Sequence, residues 1–156
     1  MENELFFSQI RNGDVRAVEK SLDKNAAALN STDQRGSTPL ILAAYYDQGE
    51  IVNLLLEKGA DIDAKDSSGN TALMGVCFKG FTAIAKTLVD NGANIDHRNS
   101  MGGTCLIYAV TFKHLEIAKL LVEHGADISI KDGRGDTALD HAKIQGASDL
   151  ITLLEE

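Results

Sequence analysis

Residues 33–44 read DQRGSTPLILAA, and the grammar of that stretch returns every 33 residues along a chain of 156. Gly36 supplies the positive φ of a tight turn after Asp33, Thr38 is a helix N-cap, and Pro39 takes the first helical position. Leu40, Ala43 and Ala44 then recur at helical spacing, with the Ala pair small enough for a neighbouring helix to come close. A second helix is expected from about Gly49, with Ile51, Val52, Leu55 and Leu56 as its apolar stripe and Gly59 as its stop. Ala60 to Ser68 is short, polar and Asp-rich, which suits an exposed hairpin-like connection.

The period is kept in phase by several residue types at once. Gly36, Gly69, Gly102 and Gly135 are each followed two residues later by Thr38, Thr71, Thr104 or Thr137, and four residues later by Leu40, Leu73, Leu106 or Leu139. Gly59, Gly92 and Gly125 hold the same step, as do Leu55, Leu88, Leu121 and Leu154. Self-similarity at this length marks a stacked array in which no unit buries its apolar face alone.

The unit resembles the ankyrin repeat, whose signature runs Asp-x-x-Gly-x-Thr-Pro-Leu-His-x-Ala-Ala and later Leu-Leu-x-x-Gly-Ala. Residues 66–98 repeat it with Asp66, Gly69, Thr71, Leu73, Leu88, Gly92 and Ala93; residues 99–131 do so with Asn99, Gly102, Thr104, Leu106, Leu121, Gly125 and Ala126. The motif His is replaced by Ile41, Met74, Ile107 and Asp140, and only Pro39 keeps the proline. The resemblance implies an all-α repeat solenoid of stacked helix-turn-helix units joined by hairpin-like loops. Residues 1–32 are expected to be an N-terminal capping repeat, with Gly13, Val18, Leu22 and Ala26 on motif positions. Three repeats occupy 33–65, 66–98 and 99–131, and 132–156 form a C-terminal capping repeat with a polar outer face.

Composition narrows the function. At 44 % hydrophobic content the chain can build a core, and no apolar run approaches the length of a membrane span. The start Met-Glu-Asn-Glu lacks the basic-then-apolar order of a secretion signal, so a cytoplasmic location is expected. The net charge of −8 is divided evenly between the two halves, −4 over residues 1–65 and −4 over residues 66–156. Such a surface repels phosphate backbones, which argues against nucleic acid and modestly favours a protein with a basic patch, although solubility alone also explains it.

No phosphate loop, nucleophile elbow or metal-ligand spacing is present, so no enzyme, cofactor or metal is expected. Cys77 and Cys105 read as buried reduced thiols. His97, His114, His124 and His141 read as structural.

Positions that do not carry the motif are free to read a partner. The last two free positions of each first helix hold Arg11 and Asn12, Tyr45 and Tyr46, Phe78 and Lys79, Thr111 and Phe112, Ile144 and Gln145. Four of eight aromatic residues fall in this column, and Tyr and Phe dominate binding hot spots. Any one ring can instead pack down between neighbouring helices. The hairpin tips are mostly small and polar, leaving Arg35 and Met101 as their candidate anchors. The candidate partner-binding residues are therefore Tyr45, Tyr46, Phe78, Lys79, Phe112, Arg11, Arg35 and Met101. The expected function is a non-enzymatic protein-binding module, monomeric by itself. Two alternatives stay open: an inhibitor or immunity-type protein that blocks an enzyme or toxin, and a structural spacer in a larger assembly.

Overall fold

The computed structural model describes residues 2–155. Among them ten α-helices succeed one another: α1 (Glu2–Arg11), α2 (Val15–Lys24), α3 (Pro39–Tyr45), α4 (Gly49–Glu57), α5 (Ala72–Lys79), α6 (Thr82–Asp90), α7 (Cys105–Thr111), α8 (Leu115–Glu123), α9 (Ala138–Gln145) and α10 (Ser148–Glu155). Among the described residues there is no β-strand. Turns of two or three residues join the helices into back-to-back pairs, the helical counterpart of a hairpin. The odd-numbered helices stack on one another as one layer and the even-numbered ones as a second.

Each repeated residue has a measurable task. The hydroxyls of Thr38, Thr71, Thr104 and Thr137 accept from the N–H of Ile41, Met74, Ile107 and Asp140 at 3.2, 3.3, 3.2 and 3.2 Å, capping α3, α5, α7 and α9. In α9 Asp140 reciprocates, accepting from the Thr137 N–H at 2.9 Å to complete a capping box. Upstream, Asp33 Oδ1 accepts from the N–H groups of Arg35 and Ser37, each at 2.9 Å, and closes the hairpin turn. Asp66, Asn99 and Asp132 do the same in their units. Gly69 sits in this turn at φ 80°, and a Cβ there would lie 3.1 Å from the Ser100 backbone nitrogen of the next hairpin.

Successive hairpins are tied by backbone bonds: Ser67 N–H to Arg35 O, Ser100 N–H to Ser68 O, and Gly133 N–H to Met101 O, at 3.0, 3.0 and 2.9 Å. A second set of ties uses side chains at the far ends of the first helices. Gln48 donates to Arg11 O at 3.1 Å, His114 Nε2 donates to Phe78 O at 3.2 Å, and Gln145 donates to Thr111 O at 2.7 Å. Phe81 occupies the position equivalent to Gln48 and His114 and has no donor to offer.

One continuous apolar core runs from Phe6 to Leu154. Leu40, Leu73 and Leu106 are at most 2 % exposed because helices cover them from both sides. Leu139, covered from one side, is only half-buried. The N-terminal unit departs from the motif: Ala26–Asn30 form a 3₁₀ turn in which Ala28 is buried and Ala26 is exposed. Cys77 and Cys105 are both buried free thiols, and a bond from Cys105 together with burial pushes the Cys77 thiol up. Among the described residues no helix is long and apolar enough to cross a membrane.

The turn between paired helices requires a left-handed residue in all five pairs. Gly13, Gly80 and Gly146 supply it at φ 75°, 83° and 65°, whereas Asp47 and Lys113 adopt φ 59° and 61° with side chains attached.

Candidate functional site

A groove of about 400 Å³ runs between α3 and α5, from the hairpin turns to the helix ends. Its floor is made by Ile41, Leu42 and Gly75, its helix-end walls by Tyr45, Tyr46 and Phe78, and its hairpin end by Asp33, Arg35, Asp66 and Asn70. Arg11, at the end of α1, closes one side. Five residues singled out on free positions, Arg11, Arg35, Tyr45, Tyr46 and Phe78, thus border a single hollow.

The ring geometry results from helix ends that stop in register. Tyr45 ends α3 and Tyr46 is its C-cap, so both rings stand clear of the core at 43 % and 45 % exposure, 5.9 Å apart and edge to face. Phe112, the C-cap of α7, is 50 % exposed and lies edge-on to Phe78 at 5.8 Å, extending the apolar strip by one unit. Phe78 itself is half-buried, since the Tyr108 ring of the next unit packs on it at 4.4 Å. Lys79 places Nζ 5.0 Å from the Tyr45 ring centre and 5.9 Å from that of Phe81, within reach of a cation–π attraction.

Met101 stands apart from this group. It is 70 % exposed on the hairpin that leads from α6 into α7, bordering a separate hollow with Tyr108, Arg134 and His141. Sequence reading missed Tyr108, Gly75, Asp33 and Asp66 as parts of this surface. The signal for them lies in one position of the first helices, occupied in turn by Leu42, Gly75, Tyr108 and His141. That position stands nine residues after the turn residues Asp33, Asp66, Asn99 and Asp132, and it faces them.

In the last two units the facing residues bond. Asn99 donates to the Tyr108 hydroxyl at 2.9 Å, and His141 Nε2 donates to Asp132 Oδ2 at 2.8 Å. Burial pushes the Asp132 carboxyl up, but the His141 bond and the N–H groups of Asp136 and Arg134 outweigh it and hold the carboxyl below its ordinary value. Asp132, Asp136 and His141 offer three potential metal-ligating atoms within 4.8 Å of one another. Both Asp132 oxygens already serve the turn and the His141 ring, so hydrogen bonding within the fold accounts for the cluster.

The family model for ankyrin repeats in three copies matches residues 5–99, 65–132 and 96–156. A comparison with curated proteins gives no match. The periodic turn, cap and core residues, the ten paired helices and this match over nearly the whole length place the chain in the ankyrin repeat family, whose members are protein–protein interaction modules and typically not enzymes.

Proposed function

We propose that this chain is a non-enzymatic binding module that holds one protein partner against the groove face. The contact strip comprises Tyr45, Tyr46, Phe78 and Phe112, flanked by Arg11, Lys79 and Arg35, with Met101 at its periphery. The observation that carries the reading is the pair of rings Tyr45 and Tyr46, 43 % and 45 % exposed on the wall of the groove, with Phe112, 50 % exposed, continuing the strip beyond Phe78. Aromatic side chains provide large contact area at small cost in conformational entropy and serve as anchors once a partner excludes water. The acidic surround, at a net charge of −8, steers a partner with a basic patch.

The test is retention of a partner from native cell extract, its identification by mass spectrometry, and affinity measurement with purified components. Replacing Tyr46 or Phe112 by Ala weakens binding by about 1–3 kcal/mol and leaves the thermal midpoint nearly unchanged. Full binding by both variants would move recognition away from the aromatic strip.

A further inference from the structure

The facing pairs that close in the fourth and fifth units stay open in the second and third. Asp33 and Asp66 spend Oδ1 on turn N–H groups as in every unit, but Leu42 and Gly75 carry no donor, and Oδ2 of neither meets a protein donor among the described residues. The two carboxylates differ in their surroundings. Both line the groove together with Arg11 and Arg35, but Asp33 also borders a second hollow with those two arginines, while Asp66 lies on the Gly75 side.

Gly75 lies inside α5, where glycine weakens a helix. Packing does not demand it, because a Cβ there would have Tyr45 Cδ1 as its nearest neighbour at 3.7 Å, an ordinary contact. Gly103 is the opposite case: a Cβ there would lie 2.6 Å from the Tyr108 ring, which fills the corresponding space one unit later. The glycine at 75 keeps the floor low next to an unspent carboxylate, between the Tyr45 and Phe78 rings.

We infer that the Asp66–Gly75 section of the groove receives one cationic side chain, an arginine or lysine, of the protein partner, a refinement that rests on the protein-binding reading above. The charged head pairs with Asp66 Oδ2, and the aliphatic stem lies along the rings of Tyr45 and Phe78. The protein already makes half of this contact with its own Lys79, whose Nζ is 5.0 Å from the Tyr45 ring centre.

Titration of the ¹⁵N-labelled chain with Nα-acetyl-arginine amide and Nα-acetyl-lysine amide, monitored by NMR, tests the assignment, with Nα-acetyl-norleucine amide as the uncharged control. Saturable shifts are expected at Tyr45, Asp66, Gly75 and Phe78 with at least one cationic probe and not with the control. Asp66→Asn and Gly75→Tyr are expected to weaken binding about fivefold or more. Asp66→Asn leaves the turn intact, as Asn99 shows by accepting the same two N–H bonds in its own unit. Shifts scattered over the acidic surface, no shifts at these four residues, or unchanged affinity in Asp66→Asn would overturn the proposal. If the probes fail while Tyr46→Ala still weakens the partner complex, the protein-binding reading stands and only the cation assignment falls. If the probes bind at Asp66 while Tyr46→Ala and Phe112→Ala retain the partner fully, the cation assignment stands and Tyr46 and Phe112 drop out of the partner contact.

Discussion

The rings of Phe78 and Tyr108 lie 4.4 Å apart with their planes inclined by 49°, joining the third unit to the fourth. The Tyr108 hydroxyl is held at the same time by Asn99, whose side-chain nitrogen also donates to Asn70 Oδ1 at 2.8 Å. Tyr108→Phe removes the hydroxyl bond alone and is expected to lower stability by about 1 kcal/mol. Tyr108→Ala also removes the ring pair and is expected to lose roughly 2 kcal/mol or more. Urea denaturation of both variants checks the order, and equal losses would show that the ring pair contributes nothing.

Burial from both sides sets the cost of truncating a motif leucine. Leu106→Ala is expected to lose about 2–5 kcal/mol by opening a cavity between α7 and its neighbours. Ser68→Ala, at a hairpin tip where only the Ser68 backbone is bonded, should be nearly silent. Coincident denaturation midpoints for both variants and the parent protein would show that motif and free positions had been confused.

Lys113 carries a side chain at φ 61°, where Gly80 and Gly146 serve the equivalent turns. A left-handed conformation costs an L-residue about 1–2 kcal/mol, part of which returns as unfolded-chain entropy when glycine is introduced. Lys113→Gly is expected to raise stability by about 0.5–1 kcal/mol, seen as a higher thermal midpoint.

Asp132 links stability to acid. Its carboxyl is held below the ordinary value in the folded chain, so its contribution is fully present above the unfolded pKa of about 3.9 and is lost as pH falls through the lower folded value. Stability between about pH 5 and pH 2 should therefore fall less steeply in Asp132→Asn than in the parent. Parallel slopes in pH-dependent denaturation would remove Asp132 from the acid response.

Residues with one backbone task per unit are the ones that sequence made legible. Thr38 and its successors must cap, Gly36 and its successors must turn, and Leu73 and Leu106 must fill a space bounded on both sides. These demands are independent of any partner, which is why they keep the period. The candidate surface was legible only in part. Tyr45, Tyr46 and Phe112 were recognisable because a side chain just beyond the last buried turn of a helix is left facing solvent. Phe78 occupies the same column yet is half-buried, since its covering group, Tyr108, comes from the next unit and only the stacked structure brings it near. Gly75 and Asp66 could not be read singly. Their meaning lies in a facing pair whose donor is missing, and the pair is visible only beside Tyr108 with Asn99 and His141 with Asp132. The 3₁₀ turn at Ala26–Asn30 answers to no repeated signal, and Met101 belongs to a different hollow because its hairpin serves the fourth and fifth units.

Gln48, His114 and Gln145 reach back to a helix-end carbonyl at three seams of the stack, and at the fourth Phe81 leaves that tie unmade. That seam is the one between α3 and α5, over which the groove lies. There the hairpin ends stay joined by the Ser67 N–H to Arg35 O bond, while the helix ends meet through packing and through Lys79 lying over the Tyr45 ring. Tyr45 and Tyr46 stand on one side of that seam and Phe78 on the other. An occupant touching both sides would supply at the helix ends the cross-tie that Gln48, His114 and Gln145 make at the other seams.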